Sequence, residues 1–480
     1  MSNMNFRGPR VGPWLALLFC FLGLSLILPN TASASGSTIW VAPPSGKDDT
    51  ANIQTALDAC VARGPGCTVQ LHAGRYLTKQ VVVYNFQGTF KGMGIDSTTV
   101  EALPDLPVKW LDQTVASCQP NLTTCIWPSL FVFVEGNITV SDLSLKITAV
   151  PATQLWVDDG GISYTMLFDV LAFMGQHPTD VTIDRIRMEG QPSLLSTDFG
   201  GYNVTNGVHY TGALPQSSAP FDYYFLSGSF TVQSSFFNNL YVAVSQDAFS
   251  KSSHVTIGGS PTTGNHVEGG CGGLDMEATE NSVVEISYNE SSGNCAGMWV
   301  VPAYVPFVPS SPSKYMIHNN KFIGTGQGAD GFYFFDDPAN PWIHAAAWNN
   351  IVQLQDTLSE GIGAFNTKGT AILNNSVTGS DGNDGIGLWN STQSMVVGNN
   401  VSDFTVDSSV GFAQIYLDPN TTQDLVVCES PNTTVLNQGT NNTVIGCQQP
   451  AMTPAAATEN LAPAVSTPLP IPPKGKPWKH

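Results

Sequence analysis

The sequence predicts an all-β fold in which short strands stack coil upon coil into a single-stranded parallel β-helix, and three observations carry that expectation. Asn349-Asn350, Asn374-Asn375 and Asn399-Asn400 recur at steps of 25 residues. Gly361-Ile362-Gly363-Ala364-Phe365 and Gly385-Ile386-Gly387-Leu388-Trp389 repeat one block ahead of successive Asn pairs. Alternating apolar runs such as Val283-Val284-Glu285-Ile286 and Met395-Val396-Val397 are too short, and too closely bounded by Gly and Asn, for paired helices. Self-similarity at a fixed period marks a stacked architecture. In such a stack, equivalent residues of neighbouring coils lie about 4.8 Å apart.

Upstream the repeat is looser. Asn319-Asn320 lies 30 residues before Asn349-Asn350, Asn289 lies 30 before Asn319, and Asn265 lies 24 before Asn289. Asn suits a coil corner because it tolerates left-handed torsions and its amide can bond to the Asn of the next coil.

Residues 1–34 read as a secretory leader, with Arg7 and Arg10, an apolar run from Trp14 to Leu28 that is short for a bilayer, and Ala32-Ser33-Ala34 as a small-residue cleavage site. No second apolar run of membrane length follows, so the expectation is a secreted chain without an integral membrane segment. Asp48-Asp49-Thr50 then opens a short amphipathic helix with Ile53, Ala56, Leu57 and Cys60 on one face. Such a helix would cover the open edge of the first coil. Strand patterns follow at Thr68-Val69-Gln70-Leu71 and Gln80-Val81-Val82-Val83-Tyr84.

The run Asp48-Asp49-Thr50, Ile53-Gln54-Thr55-Ala56-Leu57, Thr68-Val69-Gln70-Leu71-His72-Ala73-Gly74-Arg75-Tyr76 and Gly92-Met93-Gly94 resembles the opening of the pectate-lyase-superfamily (pectin-lyase-like) β-helix proteins. The resemblance covers about 60 residues and implies a right-handed parallel β-helix with an N-terminal capping helix. It implies little about chemistry, because lyases, glycosidases, epimerases, tailspikes and adhesins share the fold. The sequence lacks the Asn-Thr-Asp with Gly-His-Gly of polygalacturonases, the Trp-Ile-Asp-His of classical pectate lyases and the Tyr-Gly-Phe-Asp-Pro-His of alginate epimerases.

Further coils are legible at Asn137 to Leu145, Val181 to Ile186 and Phe230 to Phe236, whereas residues 150–228 lose the repeat and are expected to hold long loops. The β-helix is expected to run over residues 35–448. Residues 449–480 turn to Ala, Thr and Pro and are expected to form a disordered tail.

Without Cys20 in the leader, eight cysteines fall into neighbours: Cys60 with Cys67, Cys118 with Cys125, Cys271 with Cys295, and Cys428 with Cys447. The 24-residue separation of the third pair equals one coil, within bridging reach. Four local disulfides fit an oxidising compartment. Zinc is disfavoured, since neither a CxxC pair nor a His cluster accompanies them. The formal net charge of −19 makes a nucleic-acid partner unsuitable and opposes polyanionic substrates.

Aligning coils on Gly273, Gly297, Gly331, Gly361 and Gly385 turns Leu274, Met298, Phe332, Ile362 and Ile386 inward, together with Met276, Val300, Phe334, Ala364 and Leu388. The intervening columns then face outward: Asp275, Trp299, Tyr333, Gly363 and Gly387 in one, Glu277, Val301, Phe335, Phe365 and Trp389 in the other. Exposed aromatic rings beside carboxylates suit a polysaccharide, whose sugar rings have apolar faces and hydroxyl rims. Asp275 and Glu277, with Cα atoms about 6 to 7 Å apart on one strand face, are the candidate catalytic pair of a glycoside hydrolase. Trp299, Tyr333, Phe335, Asp336, Asp337, Phe365 and Trp389 are the candidate substrate-binding residues. Insertions around Pro302 to Pro309 and around Pro338, Pro341 and Trp342 are placed to wall a cleft.

A lyase needs a basic catalyst, and Arg185, Arg187 and Lys251 are the candidates, though pairing with surface acids accounts for them equally. His266 and His318 adjoin Asn corners and read as structural; His209 and His344 fall in loops without an assigned role. Asp158-Asp159-Gly160 reads as a turn. The expectation is thus a secreted polysaccharide-binding protein, with hydrolysis favoured over elimination if it is catalytic and a non-catalytic surface adhesin as the main rival. No cofactor is required; calcium at the acidic end of the groove stays open, as does the oligomeric state.

Overall fold

The computed structural model describes residues 36–104, 129–147, 155–157, 163–165, 167–175, 177–190, 204–212, 226–240, 242–246, 250–270, 273–278, 280–293, 296–302, 311–325, 330–337, 343–355, 360–379, 384–405 and 412–450. The leader, the tail beyond residue 450, the Cys118–Cys125 and Cys271–Cys295 pairs, the Asp158-Asp159-Gly160 turn and the insertions around 303–310 and 338–342 lie outside them.

Each coil lays down three strands. Leu274–Ala278, Val283–Ser287 and Glu290–Gly293 form one coil, and Ala296–Pro302 then returns to pair in parallel with Leu274–Ala278. Repetition of this step joins 33 strands into one continuous parallel ladder, the expected parallel β-helix; among the described residues the other two strands, Leu155–Val157 and Ser163–Thr165, form an antiparallel pair. The axis of the solenoid is filled by inward side chains. Large aromatics dominate the early coils, where Phe86, Phe133 and Phe173 stack with centroids 5.7 and 5.6 Å apart. Aliphatic residues such as Ile362, Ile372, Ile386 and Val396 take over later.

The only helix among the described residues, α1 (Thr50–Arg63), buries Ile53, Ala56, Leu57 and Cys60 as the sequence indicates. Its Gln54 does what a neighbouring strand would do. The side-chain amide donates to the Val82 carbonyl at 2.8 Å and its oxygen accepts the Val82 N–H at 3.2 Å, so an edge backbone pair is satisfied. Replacing Gln54 by Ala is expected to speed hydrogen exchange of the Val82 amide about tenfold or more, with global stability changed by only about 1 kcal/mol. Exchange measured by NMR or mass spectrometry on the intact chain checks this. Cys60–Cys67 ties α1 to the first coil, and Cys428–Cys447 closes the other end.

The corner between the second and third strands carries the Asn repeat, but two neighbouring residues divide the work. Asn319, Asn349 and Asn374 hold φ of 56°, 55° and 53°, the left-handed region that Asn tolerates. The residue after each one is buried and forms the ladder: Asn265, Asn289, Asn320, Asn350, Asn375 and Asn399 pass side-chain amide bonds to the next coil at 2.9, 3.0, 3.1, 3.0 and 3.0 Å. This corrects the sequence spacing. Asn289 stacks on Asn320, 31 residues on, not on Asn319, and Asn375 stacks on Asn399, 24 residues on, because Gly398 (φ 69°) takes the turning position there.

Residues 150–228, where the sequence shows one coil at Val181 to Ile186, contain the coil strands Leu167–Gly175, Asp180–Glu189 and Val204–Gly212. The period was hidden because coils here are long: Asp142 meets Arg185 across 43 residues, and Ile186 meets Ser235 across 49. His209 and His344 consequently lie in strands, not loops. Arg185 bonds Asp142 at 2.7 Å, Arg187 bonds Asp96 at 2.9 Å and Lys251 bonds Glu280 at 3.0 Å. All three basic candidates are therefore engaged in ion pairs. His318 stacks on Trp348 at 4.4 Å and approaches Glu285 at 3.3 Å, a packing role. No helix among the described residues is long and apolar enough to cross a membrane.

Candidate functional site

One lateral face is built by Val204–Gly212, Val244–Gln246, Leu274–Ala278, Ala296–Pro302, Asp330–Phe335, Ile362–Phe365, Ile386–Trp389 and Ile415–Leu417. The glycine alignment matches its register: Leu274, Met298, Phe332, Ile362 and Ile386 form a buried inner column. Asp275, Trp299, Tyr333, Gly363, Gly387 and Tyr416 form an outer one. Phe335, Phe365 and Trp389 stand in the second outer column, with Glu277 and Val301 paired further back.

The aromatic residues make a stack, one ring per coil. Phe335 and Phe365 lie 4.6 Å apart at 13°, Phe365 and Trp389 6.0 Å apart at 3°, and Trp389 meets Tyr416 at 4.6 Å. Phe335, Phe365 and Trp389 are half-buried, and so is Trp299. Tyr333 differs from expectation. It is only 9% exposed, wedged edge-on against Phe335 at 5.6 Å and Phe365 at 5.5 Å. Asp336 is also buried; it accepts the N–H of Asp337 at 2.8 Å and of Ile343 at 3.4 Å, and so fixes the chain where the strand ends. Asp337 and Asp275 are half-buried. Glu277 is placed by its strand alone, since its side chain lies outside the described residues.

Sequence reading missed the most unusual group on this face. Asp330, Glu360 and Asp384 immediately precede the aligned Gly331, Gly361 and Gly385, so they stack in three successive coils: the N–H of Gly331 reaches the Glu360 carbonyl and that of Gly361 reaches the Asp384 carbonyl, both at 2.9 Å. Asp330 accepts the Glu360 N–H at 3.1 Å, Asp384 accepts the Ala413 N–H at 2.8 Å, and Trp389 Nε1 donates to Glu360 Oε1 at 3.0 Å. The Tyr333 phenol lies within electrostatic reach of both Asp330 and Glu360. Gly363 and Gly387 make the room. A Cβ at Gly387 would sit 2.2 Å from Glu360 Oε1, and one at Gly363 would sit 2.8 Å from the Tyr333 ring. The signal was present as an acidic residue before three of the five aligned glycines, Gly331, Gly361 and Gly385. Strict alternation conceals it, because the chain is still turning the corner at that position.

Desolvation dominates the electrostatics. Burial pushes the Asp330 and Glu360 carboxyls up to about 7, the Glu360 charge adding to the rise at Asp330. Burial and the neighbouring Glu360 raise Asp384 well above the usual carboxylate range. Burial, then Asp330 and Glu360, raise the Tyr333 phenol. Near neutral pH the stack therefore holds protons, the state a carboxylic acid needs in order to donate one. Among the described residues, no group of three or more His, Cys, Asp or Glu side chains is arranged to hold a metal ion.

No protein-family profile and no curated protein sequence matches the chain. Among solved structures it is similar to the mannuronan C-5 epimerase AlgE4 A-module of Azotobacter vinelandii, at 14% identity over 85% of this chain and 95% of that one, TM-score 0.46. It is also similar to the family 28 exopolygalacturonase of Yersinia enterocolitica (11% identity, 82% and 78% covered, TM-score 0.40). A third is the surface adhesin PfbA of Streptococcus pneumoniae (14%, 81% and 93%, TM-score 0.40). What the chain shares with them is the parallel β-helix fold.

Proposed function

We propose that this is a secreted protein that lays a neutral polysaccharide along the lateral face, and that the half-buried Asp330 carboxyl donates a proton to a glycosidic oxygen there. The observation that carries this reading is the coil-by-coil rise of the half-buried Phe335, Phe365 and Trp389 beside carboxyls that hold protons near neutrality. The exposed rims of these stacked rings offer sugar rings an apolar surface, and acid groups serve their hydroxyls and leaving oxygens. Asp275, in the same outer column as Tyr333 and two coils before it, is the carboxylate proposed to activate water, with Glu277 beside it. Asp275 and Asp330 are two coils and three residues along the strand apart, roughly 14 Å between Cα atoms, so the two side chains must converge across the face for one water to lie between them and the glycosidic bond. The disulfides and the leader-like start support export.

Charge favours a neutral glycan. Residues 252–450 contain only Lys314, Lys321 and Lys368 as basic Lys or Arg. Lys314 and Lys321 belong to strands of the other two faces, and Lys321 bonds Glu290 at 2.6 Å. The lateral face presents the carboxyls of Asp275 and Asp337, and its strands contain no Lys or Arg, so a polyuronate would find no countercharge there.

One observation favours a second reading, binding without turnover: Glu360 and Asp384 are only 6% and 1% exposed, as a purely structural stack would be. Retention and reducing-end release on neutral and acidic polysaccharides separate the two. Asp330→Asn is expected to abolish release and keep retention, whereas Trp389→Ala is expected to weaken retention about fivefold, the loss of about 1 kcal/mol of ring contact. Retention without release in the wild type would leave the binding module. Unsaturated products would replace hydrolysis by elimination, and retention of polyuronates alone would sink the neutral assignment.

A further inference from the structure

The column that holds Tyr333 continues toward the N-terminal end as Trp299, Asp275, Ser245 and His209 in successive coils. His209 and Tyr333 are therefore four coils apart on one face, about 19 Å. The arrangement three residues upstream recurs as well. Asp169 and Asn206 precede Ala172 and His209 by the spacing at which Asp330 precedes Tyr333, and they stack on each other in adjacent coils. Here the carboxylate grips an imidazole. Asp169 Oδ2 lies 3.1 Å from His209 Nδ1, and Asp169 Oδ1 accepts the Asn206 amide at 3.1 Å. Asp169, Asn206 and His209 are 2%, 8% and 8% exposed, while Ser245, in register with His209 one coil on, is half-buried.

This is more apparatus than packing needs. A core position would be filled at less cost by aliphatic residues than by a buried carboxylate, amide and imidazole. The Oδ1 of Asn206 and the Oγ1 of Thr205 are buried without a hydrogen-bond partner among the described residues.

We propose that Asp169, His209 and Ser245 form a nucleophilic site for oxygen esters, with acyl groups on a glycan hydroxyl as the substrate class. Asp169 takes the Nδ1 proton bond and so selects the tautomer whose Nε2 is basic. Ser245 Oγ attacks the acyl carbonyl as its proton passes to Nε2. The tetrahedral adduct collapses by breaking the bond to the sugar oxygen, which receives that proton from His209. Water, deprotonated by the same Nε2, then attacks the acyl-serine; the acid is released and the proton returns to Ser245. No metal or redox partner is needed. The nucleophilic site is independent of the Asp330 chemistry, while the glycan part of its substrate rests on the proposed function.

The test is covalent labelling of the purified full chain with a fluorophosphonate, followed by peptide mass spectrometry, alongside hydrolysis of p-nitrophenyl acetate. Expected are one label on Ser245, none in Ser245→Ala, labelling about 100-fold slower in His209→Gln, and a wild-type labelling rate that rises with pH through an imidazole ionisation. The pH profile needs no variant, so it stands even if a buried substitution impairs folding. An unlabelled wild type, a label that persists in Ser245→Ala, or a rate indifferent to pH would overturn the proposal.

Discussion

Thermal stability is expected to be greatest in mildly acidic solution and to fall as pH rises toward 8. Burial raises the folded-state carboxyls of Glu360 and Asp330 to about 7 and that of Asp424 to about 6, and it raises Asp384 further. The unfolded chain releases these protons near its ordinary values, so between those values and the folded ones the native state binds more protons. Stability therefore decreases with pH in that window. The contribution is complete below about pH 4 and lost progressively as each folded value is passed. For Glu360 alone, a rise from 4.5 to about 7 corresponds to on the order of 3 kcal/mol. The opposite sign holds at Asp48, Asp142 and Glu290, whose carboxyls are lowered first by hydrogen bonds from Thr50, Arg185 and Lys321. Their contribution fades below the ordinary carboxylate range, which places the optimum near pH 4 to 5. Glu360→Gln keeps an acceptor for Trp389 and removes the titration, so its melting temperature should vary less between pH 5 and 8. Parallel wild-type and variant curves would show that the stack does not hold its protons.

Asn350→Ala is expected to lower stability by on the order of 3 to 5 kcal/mol. Asn350 is 1% exposed, accepts the backbone N–H and the side-chain amide of Asn320 at 2.9 and 3.1 Å, and donates to the Ile317 carbonyl and to Asn375 at 2.9 and 3.0 Å. Alanine leaves all of these partners buried and unmatched. Its sequence neighbour should behave oppositely. Asn349 sits at φ 55°, a conformation glycine adopts without strain, so Asn349→Gly should change stability by less than about 1 kcal/mol. Urea midpoints for the two variants give the comparison, and equal losses would refute the division of labour between the two Asn positions.

That division shows where reading the chain succeeded and where it fell short. The Asn pairs revealed the coil, but spacing could not say which member turns the chain and which one bonds, because either role suits Asn. The aligned glycines yielded the register from Leu274 to Ile386, and the aromatic columns followed from it. Tyr333 was legible as an outward position and Asp336 as a binding residue just after the strand, yet both are buried, because the neighbouring rings cover the one and the returning chain at Ile343 covers the other. Asp330, Glu360 and Asp384 went unread because at a corner the period of two no longer reports direction.

The sequence by itself determined the helical cap, the stacking of coils and the inward and outward columns, since these depend on short-range alternation and on a repeat visible within two or three coils. Only the tertiary structure decided which carboxyls keep their protons and which histidine meets an acid. Those properties arise from desolvation and contact between residues far apart in the chain, 29 for Trp389 and Glu360 and 40 for His209 and Asp169, across coils whose lengths follow no single period.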